Sequence, residues 1–424
     1  NGKLDRDALP APDFAGLAGG REPRTPVEEA LCALFAELLH LEYVGADDSF
    51  FDLGGDSIMS MQLVARARRA GMVITPRQVF EDKTPARLAL VAESRPAGPA
   101  VDDLAVGEVP LIPVMRWVAE RTGLRRFSQS VLTIVPAGLG EGRLVTAVQA
   151  LVDRHDALRA RLVCPGPDVA SWRLDIPPPG LDVSSSVHRV DAAGLTGPEL
   201  TSLVAAVGRS AARRLDPEAG VMLQVVWLDR GVGVSGRLLL VVHHLVVDGV
   251  SWRILLPDLA AAYAACVAGG GVELEPVGTA FRRWALLARA QAQDPVRVAE
   301  LPVWQRILTR DDVLLGDRPL DPARDVASSM RQLSFSVSLE VTAALLTTVP
   351  AVFHAGIDDV LLTGLSLAVT EWRGVPGPVL VDVEGHGREP LADDVDLSRT
   401  VGWFTSVHPV RLDPGRVDFA EVRA

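Results

Sequence analysis

The sequence predicts a multidomain chain in which a small all-α unit is followed by a larger mixed α/β domain. Three observations carry this expectation. Apolar residues recur at helical spacing between Thr25 and Glu93. Ser94 to Gly107 then carries Pro96, Gly98, Pro99 and two acids, which is the composition of a linker. Beyond it, β-branched runs alternate with amphipathic helical stretches.

Within the small unit, Thr25 is an expected N-cap, with Pro26 in the first turn and Glu28 and Glu29 at the positive end of the helix dipole. Leu31, Leu34, Phe35, Leu38 and Leu39 follow on one face. A loop through Gly45 and Asp48 leads to a second helix, from Ser57 to about Ala70. Thr84 to Glu93 reads as a short third helix. A unit of about 70 residues folds alone, but with little stability to spare.

In the larger domain, Phe127–Val135 and Leu238–Val242 read as strands. Glu141–His155, Pro198–Arg214, Trp252–Ala268 and Thr279–Gln293 read as helices. A loop rich in Asp, Pro and Arg, 310–328, separates two halves. The second half is expected to hold a strand at Gln332–Val337, helices around 339–348 and 358–373, and strands at Val379–Val383 and Val407–Leu412.

Composition narrows the function. The 424 residues include 42 basic and 54 acidic side chains, a net charge of -12, which argues against a nucleic-acid partner. A hydrophobic content of 48% is ample for packed cores. The longest apolar run, Leu238–Val247, is interrupted by two histidines and is too short to span a bilayer. No basic and apolar leader opens the sequence, and a cytoplasmic location is expected. Cys32, Cys164 and Cys266 are odd in number and widely spaced, so neither a disulfide framework nor a metal site is expected. The sequence starts at Asn1 rather than Met and ends at Glu421-Val422-Arg423-Ala424 without a helix stop signal, so both ends are expected to be cut from something longer.

Gly54-Gly55-Asp56-Ser57 places a serine where a loop enters a helix. Glycines let a bulky group approach the backbone, and a helix start favours an anion. No neighbouring histidine activates Ser57 as a nucleophile, so it reads as an N-cap or as a site of modification. The longer string Phe50-Phe51-Asp52-Leu53-Gly54-Gly55-Asp56-Ser57-Ile58 closely resembles the peptidyl carrier domains of nonribosomal peptide synthetases. That resemblance implies a four-helix carrier bundle over 23–95, with 4'-phosphopantetheine on Ser57 holding an aminoacyl or peptidyl thioester. Asn1-Gly2-Lys3-Leu4-Asp5-Arg6 resembles the last motif of adenylation domains. Lys3 then belongs to an adenylation remnant in a tail and linker, 1–22, and has no activity of its own here.

His243-His244-Leu245-Val246-Val247-Asp248-Gly249 follows an apolar strand and precedes a helix. Histidine titrates near neutrality and suits proton transfer. Adjacent histidines on an extended segment point opposite ways, so one faces a cavity and the other satisfies its nitrogens within the fold. Asp248 and Gly249 make a turn, in which the aspartate is placed to orient a partner. As a metal site the pair lacks a third ligand at fixed spacing. The string resembles the His-His-x-x-x-Asp-Gly motif of the condensation superfamily. The resemblance covers 109–424 after a linker at 96–108, and implies two chloramphenicol-acetyltransferase-like lobes: an N-lobe to about 310 and a partial C-lobe at 329–424. It also implies that His244 faces a tunnel entered by the carrier arm, while His243, Asp248 and Gly249 are structural.

Glu384-Gly385-His386-Gly387-Arg388-Glu389 resembles a signature of epimerization domains, as does Arg399-Thr400-Val401-Gly402-Trp403-Phe404-Thr405. These imply that Glu384 faces His244 across the tunnel, so that two acid/base groups invert the α-carbon of the carrier-bound thioester. Pro110-Leu111-Ile112-Pro113-Val114-Met115-Arg116-Trp117-Val118 departs from the family's Pro-Ile-Gln entry motif, and the family's late Asn-Tyr motif is absent. The resemblance is therefore to a C-terminally truncated epimerization domain. Its implied partners are a phosphopantetheinyl transferase, an upstream adenylation domain and a downstream condensation domain. Two other readings are a condensation domain forming an amide between two carrier-bound substrates, and a non-catalytic domain of the same fold that recruits partners.

Overall fold

The computed structural model describes residues 19–94, 105–121, 124, 127–309, 315, 316, 318–321, 323–353, 355–374, 377–389, 391, 392 and 394–415. Lys3 and the adenylation-like tail lie outside the described residues. The chain divides into two compact units. The first holds residues 1–291 and 386–404, and the second holds 292–385 and 405–424.

The first unit opens with four helices: α1 (Pro26–Leu39), α2 (Ser57–Arg69), α3 (Pro76–Asp82) and α4 (Pro85–Val91). Three of them start the same way. Thr25, Thr75 and Thr84 each accept a hydrogen bond from a backbone N–H in the first turn, and each is followed by proline. Leu31, Phe35, Leu38, Phe50, Leu63 and Leu88 form the common core, with Phe35 meeting Phe50 edge-on at 4.9 Å. A short antiparallel pair, β1 (Met72–Val73) and β2 (Glu93–Ser94), closes the helical region.

The α/β part of this unit contains two sheets. The smaller joins β3 (Gly107–Pro110), β5 (Arg161–Val163) and β6 (Arg173–Ile176) in the order β3-β6-β5. The larger joins β4 (Ser128–Val135), β7 (Val187–Asp191), β8 (Leu223–Asp229) and β9 (Gly236–His243) in the order β4-β9-β8-β7. Within it only β7 and β8 run parallel. β8 and β9 are buried along almost their whole length, which explains their near-continuous apolar sequence. The helices are α5 (Pro113–Arg121), α6 (Glu141–Arg154), α7 (Gly197–Arg214), α8 (Trp252–Ala268) and α9 (Phe281–Gln291). α6 packs on α8, and α7 packs on β8 and β9.

Residues 386–404 close this unit by returning to it late in the sequence. Arg399 binds both carboxylate oxygens of Asp258 at 2.6 Å, and buried His155 donates to the same carboxylate at 2.8 Å. Burial works to raise the Asp258 carboxyl, but the His155 and Arg399 bonds outweigh it and hold the group below the usual carboxylate range. Thr400 donates to the Thr279 carbonyl at 2.7 Å. A Cβ at Gly402 would lie 2.4 Å from the Phe281 ring, so only glycine fits there.

The second unit contains α10 (Pro295–Val298), α11 (Leu301–Leu308), α12 (Leu339–Leu346), α13 (Thr348–Phe353) and α14 (Ile357–Arg373). Its strands β10 (Val379–Gly385) and β11 (Ser406–Leu412) pair antiparallel with each other. Arg411 ties β11 to α11 by donating to the Ile307 carbonyl at 2.6 and 2.9 Å. The strand expected at Gln332–Val337 is corrected by the structure: these residues have no regular secondary structure and are exposed. Alternation alone cannot make a strand, and β10 and β11 satisfy one another. Among the described residues no helix is long and apolar enough to cross a membrane.

Asp258 carries the packing of 386–404 onto the first unit. Asp258→Ala leaves His155 without its acceptor and Arg399 with only the exposed Glu275, 3.3 Å away, as a counter-ion, and is expected to cost about 3 kcal/mol, the low end for breaking a buried pair on one side. Urea denaturation of the variant against the wild type measures it.

Candidate active site

The larger sheet delivers the two histidines. Ser128 pairs with His243 and Gln129 with Val242, so the start of β4 lies beside the end of β9. The backbone N–H of His244 then donates to the Phe127 carbonyl at 2.8 Å. The chain turns through one 3-10 turn at His244–Val246 and reaches α8 at Trp252.

The neighbouring histidines are treated differently by the fold. His243 is fully buried. Its Nε2 donates to the Leu124 carbonyl at 2.6 Å and its Nδ1 accepts from the Leu245 N–H at 3.2 Å. Burial pushes its pKa down to about 4, so it is neutral at pH 7 with both nitrogens engaged. His244 is only half-buried. Its ring stacks on Phe127, with centroids 4.6 Å apart and planes 8° from parallel, and leans on Trp403 at 4.4 Å. Its Nε2 lies 2.8 Å from Nε2 of Gln129, whose Oε1 accepts from the Trp252 indole at 2.8 Å.

Asp248 organises the turn. Its Oδ1 accepts from the Ser251 N–H and hydroxyl, both at 2.8 Å, and its Oδ2 accepts from the Phe404 N–H at 3.2 Å. Arg388 donates to both oxygens, at 2.8 and 3.1 Å. The guanidinium also donates to the Thr400 carbonyl at 2.7 Å and covers the Phe404 ring at 4.1 Å. Burial pushes Arg388 down from its ordinary value, and the Asp248 carboxylate opposes that shift. Gly249 is exposed, and a Cβ there would meet open space.

Glu384 lies in the second unit, exposed on β10, with its backbone paired to Val407 of β11. A Cβ on the next residue, Gly385, would fall 2.9 Å from the Ser406 hydroxyl. Glu384 stands four positions before Arg388 in the sequence.

In the helical region, Asp56 rather than Ser57 caps α2: its Oδ1 accepts from the Met59 N–H at 2.9 Å. Ser57 is the first helical residue. Gly54 takes φ 94°, and a Cβ at Gly55 would meet the Phe50 ring at 2.5 Å. A phosphodiester on residue 57 fits this setting, since the start of a 13-residue helix favours an anion and the cap is already supplied by a neighbour. Asp56 also pairs with Arg253 of α8 at 2.7 Å. On α2, Arg66 pairs with Glu37 at 2.5 Å and Arg68 donates to the Val395 carbonyl at 3.0 Å. The side chains of Ser57 and Arg69 are outside what the structure describes.

Sequence reasoning missed Gln129, Ser251 and the pairing of Arg388 with Asp248. Ser251 had a local signal, three residues beyond Asp248 at turn spacing. Gln129 had none.

Residues 108–422 match the condensation domain family, and residues 29–91 match the phosphopantetheine attachment site family. A linear gramicidin synthase polypeptide of Brevibacillus parabrevis is 39% identical over 418 residues, which is 97% of this chain and 8% of that protein. Chondramide synthase of Chondromyces crocatus is 38% identical over 98% of this chain and 11% of that protein. The chain thus spans about a tenth of the length of these relatives. The epimerization domain from the third module of tyrocidine synthetase B superposes with TM-score 0.66 at 28% identity, covering 76% of this chain and 72% of that one. The first condensation domain of the calcium-dependent antibiotic synthetase shares the fold, with TM-score 0.55 at 19% identity over 75% and 72%.

His243 makes stability depend on pH. Its folded pKa of about 4 lies below the ordinary 6.5, so the unfolded chain binds the proton first. The contribution is complete above pH 6.5 and is lost as pH falls toward 4; by pH 5 the loss is about 2 kcal/mol. Denaturation midpoints at pH 7.5 and 5 are expected to differ by more in the wild type than in His243→Gln.

Proposed function

Because the chain belongs to the condensation-domain family and carries a phosphopantetheine attachment domain, the organisation of nonribosomal peptide synthetases, we propose that its larger domain is an epimerase acting on a carrier-bound thioester. The observation that carries this reading is the likeness to a solved epimerization domain at 28% identity, against 19% for the condensation domain of the same fold. The Glu384–Glu389 and Arg399–Thr405 strings add to it.

In this reading Ser57 bears the arm, which supplies a tether and a thioester that acidifies the α-hydrogen. His244 and Glu384 are the two acid/base residues. One takes the α-proton and leaves an enolate; the other returns a proton to the opposite face. No bond between heavy atoms is made or lost for good, so L and D forms interconvert and the two residues reset through solvent. The enolate oxygen needs a hydrogen-bond donor beside it. His243, with both nitrogens engaged inside the fold, takes no part. The Asp248–Arg388 pair holds the turn that carries His244.

With an L-aminoacyl-phosphopantetheine on Ser57, the α-hydrogen is expected to exchange with deuterated water and the product to approach an L/D mixture. His244→Ala and Glu384→Ala should each lower that rate by about a hundredfold or more. Absence of exchange above the double variant, with amide formation to a second loaded carrier instead, points to a condensation domain and ends the epimerase reading. Mass spectrometry tests the carrier separately: the gain of the arm must vanish in Ser57→Ala.

The Asp56–Arg253 pair is the contact by which the carrier presents Ser57 to the larger domain. Arg253→Glu is expected to leave arm attachment intact and slow exchange. The slowing should shrink as ionic strength rises, because salt screens the new like-charge repulsion. Equal rates for Arg253→Glu and wild type at low salt would exclude this role.

A further inference from the structure

We propose that Gln129 is a positioning residue that fixes the tautomer of His244, and that Trp252 fixes Gln129 in turn. An indole N–H can only donate. The Gln129 atom 2.8 Å from Trp252 Nε1 is therefore its carbonyl oxygen. That leaves the amide NH2 of Gln129 facing His244 Nε2, also at 2.8 Å. An NH2 group can only donate, so Nε2 must present its lone pair, and the proton of the neutral ring sits on Nδ1. The other tautomer would set two N–H groups against each other at hydrogen-bond distance.

The ring has little freedom to escape this arrangement, because Phe127 covers one face and Trp403 packs against it at 4.4 Å. Gln129 is equally fixed by strand register, since it pairs with Val242 across β4 and β9. A one-residue slip would turn its side chain to the opposite face of the sheet. His243 provides the contrast. It donates from Nε2 to a carbonyl and accepts at Nδ1, so the two adjacent histidines hold opposite tautomers.

The consequence for catalysis rests on the epimerase reading. The resting imidazole is neutral, with its basic lone pair on Nε2 and oriented by Gln129. When Nε2 takes a proton it becomes a donor, and the Gln129 amide must release it. Gln129 thus selects Nε2 as the basic nitrogen of neutral His244, and gives up its own hydrogen bond when that nitrogen is protonated.

The tautomer is read directly from two-bond 1H–15N correlation spectra of the full chain labelled with 15N-histidine, at a pH above the histidine range. His244→Gln identifies the signals of residue 244 among the eight histidines. Wild type is expected to show a protonated Nδ1 and an unprotonated Nε2 at residue 244. Gln129→Glu keeps the shape and still accepts from Trp252, but it offers His244 an acceptor, so the pattern should invert to a protonated Nε2. Trp252→Phe frees the carboxamide to rotate and should give a mixture. The His243 pattern must stay constant in all variants, which separates a local change from unfolding. A protonated Nε2 at residue 244 of the wild type, or a Gln129→Glu spectrum like the wild type's, overturns the proposal. With loaded carrier, Gln129→Glu should slow α-hydrogen exchange by about tenfold or more. If the spectra behave as expected while the wild type shows no exchange, the epimerase reading falls and the tautomer assignment stands. If the wild type exchanges but the spectra do not change, the assignment falls alone.

Discussion

The buried ion pair between Asp248 and Arg388 is the constraint on which the His244 site depends. Both side chains are almost wholly withdrawn from water, at 6% and 2% exposure. Two opposed charges in such a place need further hydrogen bonds to offset their desolvation, and all the donors of Arg388 except its Nε find them. Here Asp248 takes Ser251 and the Phe404 N–H as well as the guanidinium, and Arg388 adds the Thr400 carbonyl and the Phe404 face. The partners are 140 residues apart in the sequence. Ser251 spans the same gap, its hydroxyl donating to Asp248 and accepting from the Gly402 N–H. The turn after β9 and the 386–404 segment are consequently one piece of structure. Trp403, which packs against the His244 ring, is held at its place by that joint.

Adjacent positions in one strand end give two imidazoles with different chemistry. His243 is inside the sheet, where the cost of desolvating a charge keeps it neutral. His244 is half-buried among aromatic rings and one carboxamide. The difference follows from where the strand stops: His243 is the last residue of β9, and His244 is the first of the 3-10 turn that leaves the sheet. His243 sets the strand's end. The Leu124 and Leu245 bonds of His243 fix the backbone from which His244 projects.

What was legible in the sequence was local. The cap and proline at Thr25-Pro26, the apolar run into His243 and His244, the Asp-Gly turn and the helix from Trp252 all express themselves within a few residues. α3 carries the same Thr-Pro signature at Thr75-Pro76 as its neighbours, so it was readable, yet its seven residues are too few to show periodicity. Gln332 to Val337 has the alternation of a strand but finds no edge to pair with, which no pattern within the segment reveals. Arg388 shares a motif with Glu384, but its bond to Asp248 depends on the return of 386–404 to the first unit. Gln129 was invisible for the same kind of reason. A glutamine on an edge strand reads as solvent-facing, and only the β4–β9 register places it at the imidazole.

The carrier contact obeys the opposite rule from the Asp248–Arg388 joint. Asp56 and Arg253 are each roughly two-fifths exposed, at 41% and 43%. An ion pair in that setting contributes about 0–1 kcal/mol, against several for a buried pair broken on one side. Yet Asp56 has a second duty that does not depend on Arg253, since its other oxygen caps α2 at Met59. The residue before Ser57 therefore stays ordered whether or not the pair is made. On the proposed reading, in which the carrier presents its cargo to the larger domain, this division serves transfer: the helix start is set by its own cap, and the Asp56–Arg253 bond is weak enough to be given up.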